Sequence, residues 1–213
     1  MHTVANFRSG RRLPALTWGR GSSAASIWRS AQPKTGVSSQ CPQDELVLEQ
    51  VAQARGIRVT PLGLSRNLSE AMLAIIDCRP RSNALANRAA GAGYEIQKNY
   101  PSTRLEFYDI PNIHAVRDSF KQMCSIFQIS NNTGNTQAGM TGAMGINNPE
   151  TSFGKAIEDT QWLQNIRYIL KASWECAHIV QRGTPVLVHC SHGWDRTSQV
   201  CALAQLLLDS YYR

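Results

Sequence analysis

Cys190 and Arg196 have five residues between them, in the stretch Val188-His-Cys-Ser-His-Gly-Trp-Asp-Arg-Thr197. A thiol and a guanidinium at this spacing on one turn can handle a phosphate monoester. Backbone N–H groups between them can turn inward as an anion nest, and a helix beginning there adds partial positive charge. The same field lowers the thiol pKa, and the resulting thiolate can attack phosphorus. Arg196 offers a planar fork for two phosphate oxygens, a geometry lysine lacks. Gly193 allows close backbone approach. Asp195 is a candidate proton donor to the leaving oxygen, and Thr197 a hydrogen-bond donor to sulfur. Cys-x5-Arg taken alone also describes a buried structural thiol at the end of a strand. The choice between the two depends on what flanks the loop.

The flanking pattern is that of a strand and a helix. Thr184-Pro-Val-Leu-Val-His189 is an apolar run predicting a buried strand, and Thr197–Tyr212 an apolar helix. Leu73-Ala-Ile-Ile-Asp-Cys78, stopped by Arg79-Pro80, reads as a second buried strand. Arg104–Ile110 alternates and ends at Pro111, as a third would. Helical spacing occurs over Asp44–Arg55, over residues 112–127 and over residues 155–182, with Trp162 and Trp174 expected in the core and Gly183 as the last helix's stop. Residues 1–43 read as loop with short extended pieces such as Leu13–Trp18. A polar, glycine-rich loop is expected between Ser130 and Pro149. Strands separated by helical segments predict an α/β layered domain.

The longer string Val-His-Cys-Ser-His-Gly-Trp-Asp-Arg-Thr-Ser-Gln resembles the signature of the myotubularin family of phosphoinositide 3-phosphatases, in which Gly-Trp-Asp-Arg-Thr is distinctive. Further segments match in type and order: Phe7–Trp18, Arg29–Pro33, Ile76–Pro80, Asn83–Arg88, Gly91–Glu95, Asn112–Arg117, Asp159–Leu163 and Leu208–Arg213. The resemblance implies the cysteine-dependent, tyrosine-phosphatase-like fold, a central mixed sheet flanked by helices. Residues 1–43 would be its basic entry segment and 44–213 a partial phosphatase domain, truncated at the C-terminus. It also implies hydrolysis of phosphatidylinositol 3-phosphate and 3,5-bisphosphate without a cofactor or metal, Cys190, Asp195 and Arg196 being catalytic. Asn87, Asn112, Ile113, Ser191, His192, Gly193 and Trp194 would line the headgroup pocket with Asp195 and Arg196. His189 would orient the loop. Implied partners are phosphoinositide headgroups on endosomal-type membranes and other myotubularin-like subunits, in a cytoplasmic setting and without nucleic acid. His192 stands where the family usually carries an aspartate. An inactive relative that binds phosphoinositides or a partner subunit is therefore the alternative, and a phosphotyrosine or dual-specificity phosphatase a third.

Composition agrees with a globular chain. Of 213 residues 42% are hydrophobic and 17% charged, which argues against global disorder, and no stretch approaches the ~20 apolar residues of a membrane helix. The net charge of +7 is concentrated: residues 1–43 hold Arg8, Arg11, Arg12, Arg20, Arg29 and Lys34 and no acid. Such a segment can be a transit peptide or a face for an anionic partner, and the resemblance accounts for it better than a transit peptide does. The six cysteines show no CxxC pair, so all but Cys190 are expected to be small hydrophobes in a reducing compartment.

Overall fold

The computed structural model describes residues 2–19, 25–53, 72–132 and 149–213. It contains two compact units, Met1–Ile110 with Ile169–Arg213, and Pro111–Tyr168.

The first unit is built on a sheet of five strands among the described residues: β1 (Ala15–Gly19), β2 (Ser26–Ala31), β3 (Leu73–Asp77), β4 (Thr103–Phe107) and β5 (Val186–Cys190), in the spatial order β1-β2-β5-β3-β4. β1 and β2 are antiparallel and the other pairs parallel, which makes the sheet mixed. β5 lies at the centre, and every one of its residues is buried, as is every residue of β3. Continuous apolar runs are what parallel strands covered on both faces require. The β1–β2 ribbon arises within the segment expected to be mostly loop. Its strand β2, Ser-Ile-Trp-Arg-Ser-Ala, carries too many polar groups to show an apolar run, and it becomes a strand by pairing with β5 from Ile27↔Val186 to Ala31↔Cys190.

The helices of this unit are α1 (His2–Phe7), α2 (Pro42–Gln53), α3 (Arg81–Ala89) and α7 (Asp195–Leu208), with the greater part of α6 (Trp162–Gln181). Leu48, Val51 and Ala52 of α2 pack with Leu73, Ile75, Tyr100 and Leu187, edged by Trp28 and Leu105. Each large aliphatic side chain so buried contributes about 1.5–3 kcal/mol. α7 packs on β5 and β2 through Val200, Cys201 and Ala204. It begins two residues before the expected start, because the Cys190 loop turns directly into it, and ends at Leu208 before a 3-10 turn at Ser210–Tyr212. The residues Ala54 and Arg55 of the helix expected over 44–55 lie outside the described residues.

In the second unit α4 (Ile113–Asn132) runs five residues beyond the expected end, so the polar loop starts later, and its residues 133–148 lie outside the described ones. The single helix expected over 155–182 is instead two, α5 (Pro149–Asp159) and α6. At the break the Thr160 hydroxyl donates to Ile157 O at 2.6 Å and accepts from Trp162 N at 3.2 Å, so it caps the new helix. Gln161 takes a positive φ of 59° there. Trp162 packs on Phe120 with ring centroids 5.0 Å apart, and Asn165 donates to Ser119 in a buried hydrogen bond of 3.1 Å. Trp174, in the part of α6 that belongs to the first unit, is 57% exposed and stacks on His178, so it is not a core residue. The apolar register of that stretch is met instead by the small residues Ala172, Cys176 and Ala177.

Candidate active site

Cys190 is the last residue of β5, and α7 starts at Asp195, so Ser191–Trp194 form the turn. This is the carboxyl end of the central strand, where open α/β sheets bind ligands. The turn is clamped from the N-terminal segment. Gln32 N donates to Ser191 O at 3.3 Å, Arg12 Nη1 to His192 O at 3.2 Å, and Arg29 Nη2 to Gly193 O at 2.6 Å. Three successive carbonyls are thus bound, while the N–H groups of Gly193 and Thr197 serve the sulfur. Gly193 has φ +71°, and a Cβ on it would stand 2.3 Å from Ser30 O.

Burial alone would raise the Cys190 thiol pKa. Hydrogen bonds from the Thr197 hydroxyl and N–H, the Arg196 charge and the Gly193 N–H outweigh it, and the thiol is held below its usual range. This is the environment of a reactive cysteine, unlike that of Cys78 and Cys176, which burial pushes far up. Arg196 donates from Nη1 to Ile110 O at 3.2 Å and from Nη2 to Ser191 Oγ at 3.4 Å. Asn87 Nδ2 reaches the same Ser191 Oγ at 3.3 Å and Gln32 Oε1 at 3.4 Å. Gln32 Oε1 also accepts from fully buried Arg79, whose guanidinium is tied to Asp77 and to Gly93 O. Asp195 is exposed in the first turn of α7, where a carboxylate suits the helix dipole.

Behind the turn lies a buried ionic network. His189 Nε2 is 2.9 Å from Glu95 Oε2, and its Nδ1 is 3.2 Å from Cys190 O. Burial would lower the His189 pKa, but the Glu95 charge raises it, so the ring is held as a cation more firmly than usual. Glu95 in turn lies far below the usual carboxylate range, since His189 and Arg8 overcome the burial penalty. Arg8 Nη1 donates to Glu95 Oε1 at 2.6 Å, its Nε and Nη2 form a bidentate pair with Asp44, and Tyr100 OH donates to Asp44 Oδ2 at 2.8 Å. The expected basic face is therefore partly internal: Arg8 is fully buried in ion pairs and Arg29 is bound to the turn.

The sequence pattern of the Myotubularin-like phosphatase domain matches residues 1–213. The chain belongs to the myotubularin-like phosphatase family. It is 39% identical over 210 residues to the phosphatidylinositol-3,5-bisphosphate 3-phosphatase MTMR6 of Mus musculus, covering 98% of this chain and 30% of that protein. Identity to the phosphatidylinositol-3,5-bisphosphate 3-phosphatase MTMR6 of Caenorhabditis elegans is also 39%, over 97% of this chain and 26% of the relative. With the phosphatidylinositol-3-phosphate phosphatase MTMR7 of Mus musculus it is 39% over 98% and 28%. The chain thus spans less than a third of these relatives' length.

In this myotubularin-like domain the turn brings together Cys190, Ser191, His192, Gly193, Trp194, Asp195 and Arg196, and α3 adds Asn87. Trp194 is 59% exposed with the Arg12 guanidinium 4.2 Å above its ring, a cation–π contact at the rim. Asn112 and Ile113 belong to the second unit, where Asn112 Oδ1 caps α4 by accepting from Ala115 N at 3.0 Å. The sequence shows Arg8, Arg12 and Arg29 only as members of a basic segment and gives no role to Gln32, Arg79 or Glu95. All six lie inside segments that carried the family resemblance, which was the available signal.

Proposed function

We propose that this chain forms the phosphate-binding core of a phosphoinositide 3-phosphatase acting on phosphatidylinositol 3-phosphate and phosphatidylinositol 3,5-bisphosphate. The observation that carries this is the place of Cys190 at the strand-to-helix turn, where Thr197, Gly193 and Arg196 lower its thiol pKa against the effect of burial. Cys190 Sγ attacks phosphorus while Arg196 and the turn's N–H groups hold the phosphate oxygens. The bond from phosphorus to the inositol oxygen breaks, and Asp195 protonates that oxygen. Water then attacks phosphorus, loses its proton to Asp195, and releases phosphate and the thiolate. The charge that builds up in both steps meets preorganised donors. The names of the relatives support the substrate class. The same reading places the protein in the cytoplasm at the surface of endosomal-type membranes, where such headgroups are displayed, and allows pairing with other myotubularin-like subunits.

The test is phosphate release from soluble short-chain phosphoinositides and from a phosphotyrosine peptide. Release from the 3-phosphorylated lipids, lost in Cys190→Ser with headgroup binding retained, supports the proposal. Preferential turnover of the peptide overturns it.

A second reading rests on His192, exposed on the turn where the family pattern has an aspartate. In that case the domain binds the headgroup without turnover. Binding without release in the parent, and release gained in His192→Asp, would favour it.

A further inference from the structure

Beyond its phosphatase chemistry, the Cys190 sulfur has a neighbour that the mechanism does not use. β3 and β5 are parallel and in register, with Asp77 opposite His189. The next residues along the two strands are Cys78 and Cys190. Cys78 N donates to His189 O at 2.9 Å, so the hydrogen bond between the strands continues to this last level. Neighbouring strands lie about 4.8 Å apart, within the roughly 4.4–6.8 Å between Cα atoms that a disulfide spans.

The faces agree as well as the distance. Side chains alternate along a strand, so Asp77 and His189 share one face and Cys78 and Cys190 the other. On the first face His189 meets Glu95 and Asp77 meets Arg79. On the second, the charges acting on Cys78 include those of Cys190, Cys201 and Arg196. Both cysteines are buried and free.

We propose that Cys78 is the resolving cysteine of Cys190, and that peroxide converts the pair into a reversible Cys78–Cys190 disulfide that switches the site off. The two sulfurs are unlike. Burial pushes the Cys78 thiol far up while the turn lowers that of Cys190, so Cys190 reacts first. Its thiolate attacks one oxygen of hydrogen peroxide, the O–O bond breaks, and hydroxide leaves, giving the sulfenic acid. The Cys78 sulfur, losing its proton, then attacks Cys190 Sγ. The S–S bond forms, the S–O bond breaks, and the hydroxide takes that proton and leaves as water. In total two thiols and one peroxide give a disulfide and two waters. The bridge keeps Cys190 from the further, irreversible oxidation to sulfinic acid. Cys201 is the other nearby thiol. It lies on α7, within reach of the Cys190 charge, whereas Cys78 is tied to the strand of Cys190 by a hydrogen bond to the residue before it.

The inference rests on Cys190 being the reactive thiolate, but its first readout does not need turnover. The protein is treated with hydrogen peroxide, free thiols are blocked, and tryptic peptides are mapped without reduction. The expected product joins the peptide holding Cys78 to the peptide holding Cys190, and dithiothreitol releases both. In Cys78→Ala and Cys78→Ser the same dose should drive Cys190 to the sulfinic acid, with loss of dithiothreitol-recoverable thiol. Cys201→Ala should behave as the parent. Direct passage of parent Cys190 to the sulfinic acid, or a bridge from Cys190 to Cys201, overturns the proposal. Phosphate release is followed in parallel, and Cys78→Ala should match the parent before oxidation. A bridge that forms in a protein without phosphate release would refute the enzyme reading and leave this one standing.

Discussion

Gly193 sits against Ser30 so closely that a Cβ on the glycine would lie 2.3 Å from the Ser30 carbonyl oxygen and 2.9 Å from its carbon. Ser30 belongs to β2, which is bonded to the central strand and cannot retreat. The turn is therefore shaped by the backbone of a strand far away in sequence.

Gly193→Ala should displace the turn. The left-handed φ of +71° costs about 1–2 kcal/mol for a residue with a Cβ, and the clash comes on top. Gly91→Ala is the control, because Gly91 has φ +87° but nothing within 4 Å of its Cβ position. Urea melts of the two variants should show Gly193→Ala to be less stable. Turnover should fall by about 10²-fold in Gly193→Ala alone, the usual effect of a shift near 1 Å at a reacting centre. Equal loss in both variants would mean that the contact with Ser30 is slack.

Thr197→Val removes one of the donors that hold the Cys190 thiolate and keeps the backbone N–H. The thiol pKa should rise, because burial is then opposed by one donor fewer. Alkylation by iodoacetamide, followed against pH, reads this directly. An unmoved profile would show that the hydroxyl does not bond the sulfur.

Glu95→Gln tests the buried network through its pH dependence. His189 has a raised folded pKa, so its contribution is complete below about pH 6.5, its unfolded value, and is lost as pH rises through the folded pKa. Glu95 has a lowered folded pKa, so its share is complete above about pH 4.3 and is lost as pH falls through the folded value. Breaking such a buried pair costs about 3–5 kcal/mol. The stability gap between parent and variant should be wide at pH 5.5 and narrower at pH 8.5. A gap independent of pH would place the loss in packing instead of in the His189 charge.

Asp195→Asn separates acid catalysis from nucleophilic attack. Turnover of a short-chain phosphatidylinositol 3-phosphate, whose leaving oxygen needs a proton, should drop by about 10²–10⁴-fold. Hydrolysis of para-nitrophenyl phosphate, whose leaving group departs unaided, should drop far less. Equal losses on both substrates would remove Asp195 from the proton-donor role.

The candidate site was legible in the sequence because it is local. Cys190, Gly193, Asp195, Arg196 and Thr197 occupy one strand–turn–helix junction, so the sequence already places these candidate site residues together. The buried strands β3 and β5 were equally plain, since a run of apolar residues ending at a proline or a polar turn has few other fates. The break between α5 and α6 was not. It turns on Thr160 folding its hydroxyl back onto the chain, which competes with an otherwise unbroken helical pattern.

What supports the turn was decided only by tertiary structure. Arg8 finds Asp44 across 36 positions and Glu95 across 87, while Arg29 finds the Gly193 carbonyl across 164. The register of β3 against β5 sets Cys78 beside Cys190. No periodicity records such pairings, because they depend on which strands become neighbours and on which donors a buried carbonyl or carboxylate meets there. A charge that reads as surface in the sequence becomes an internal tie once desolvation leaves it no partner but another buried ion.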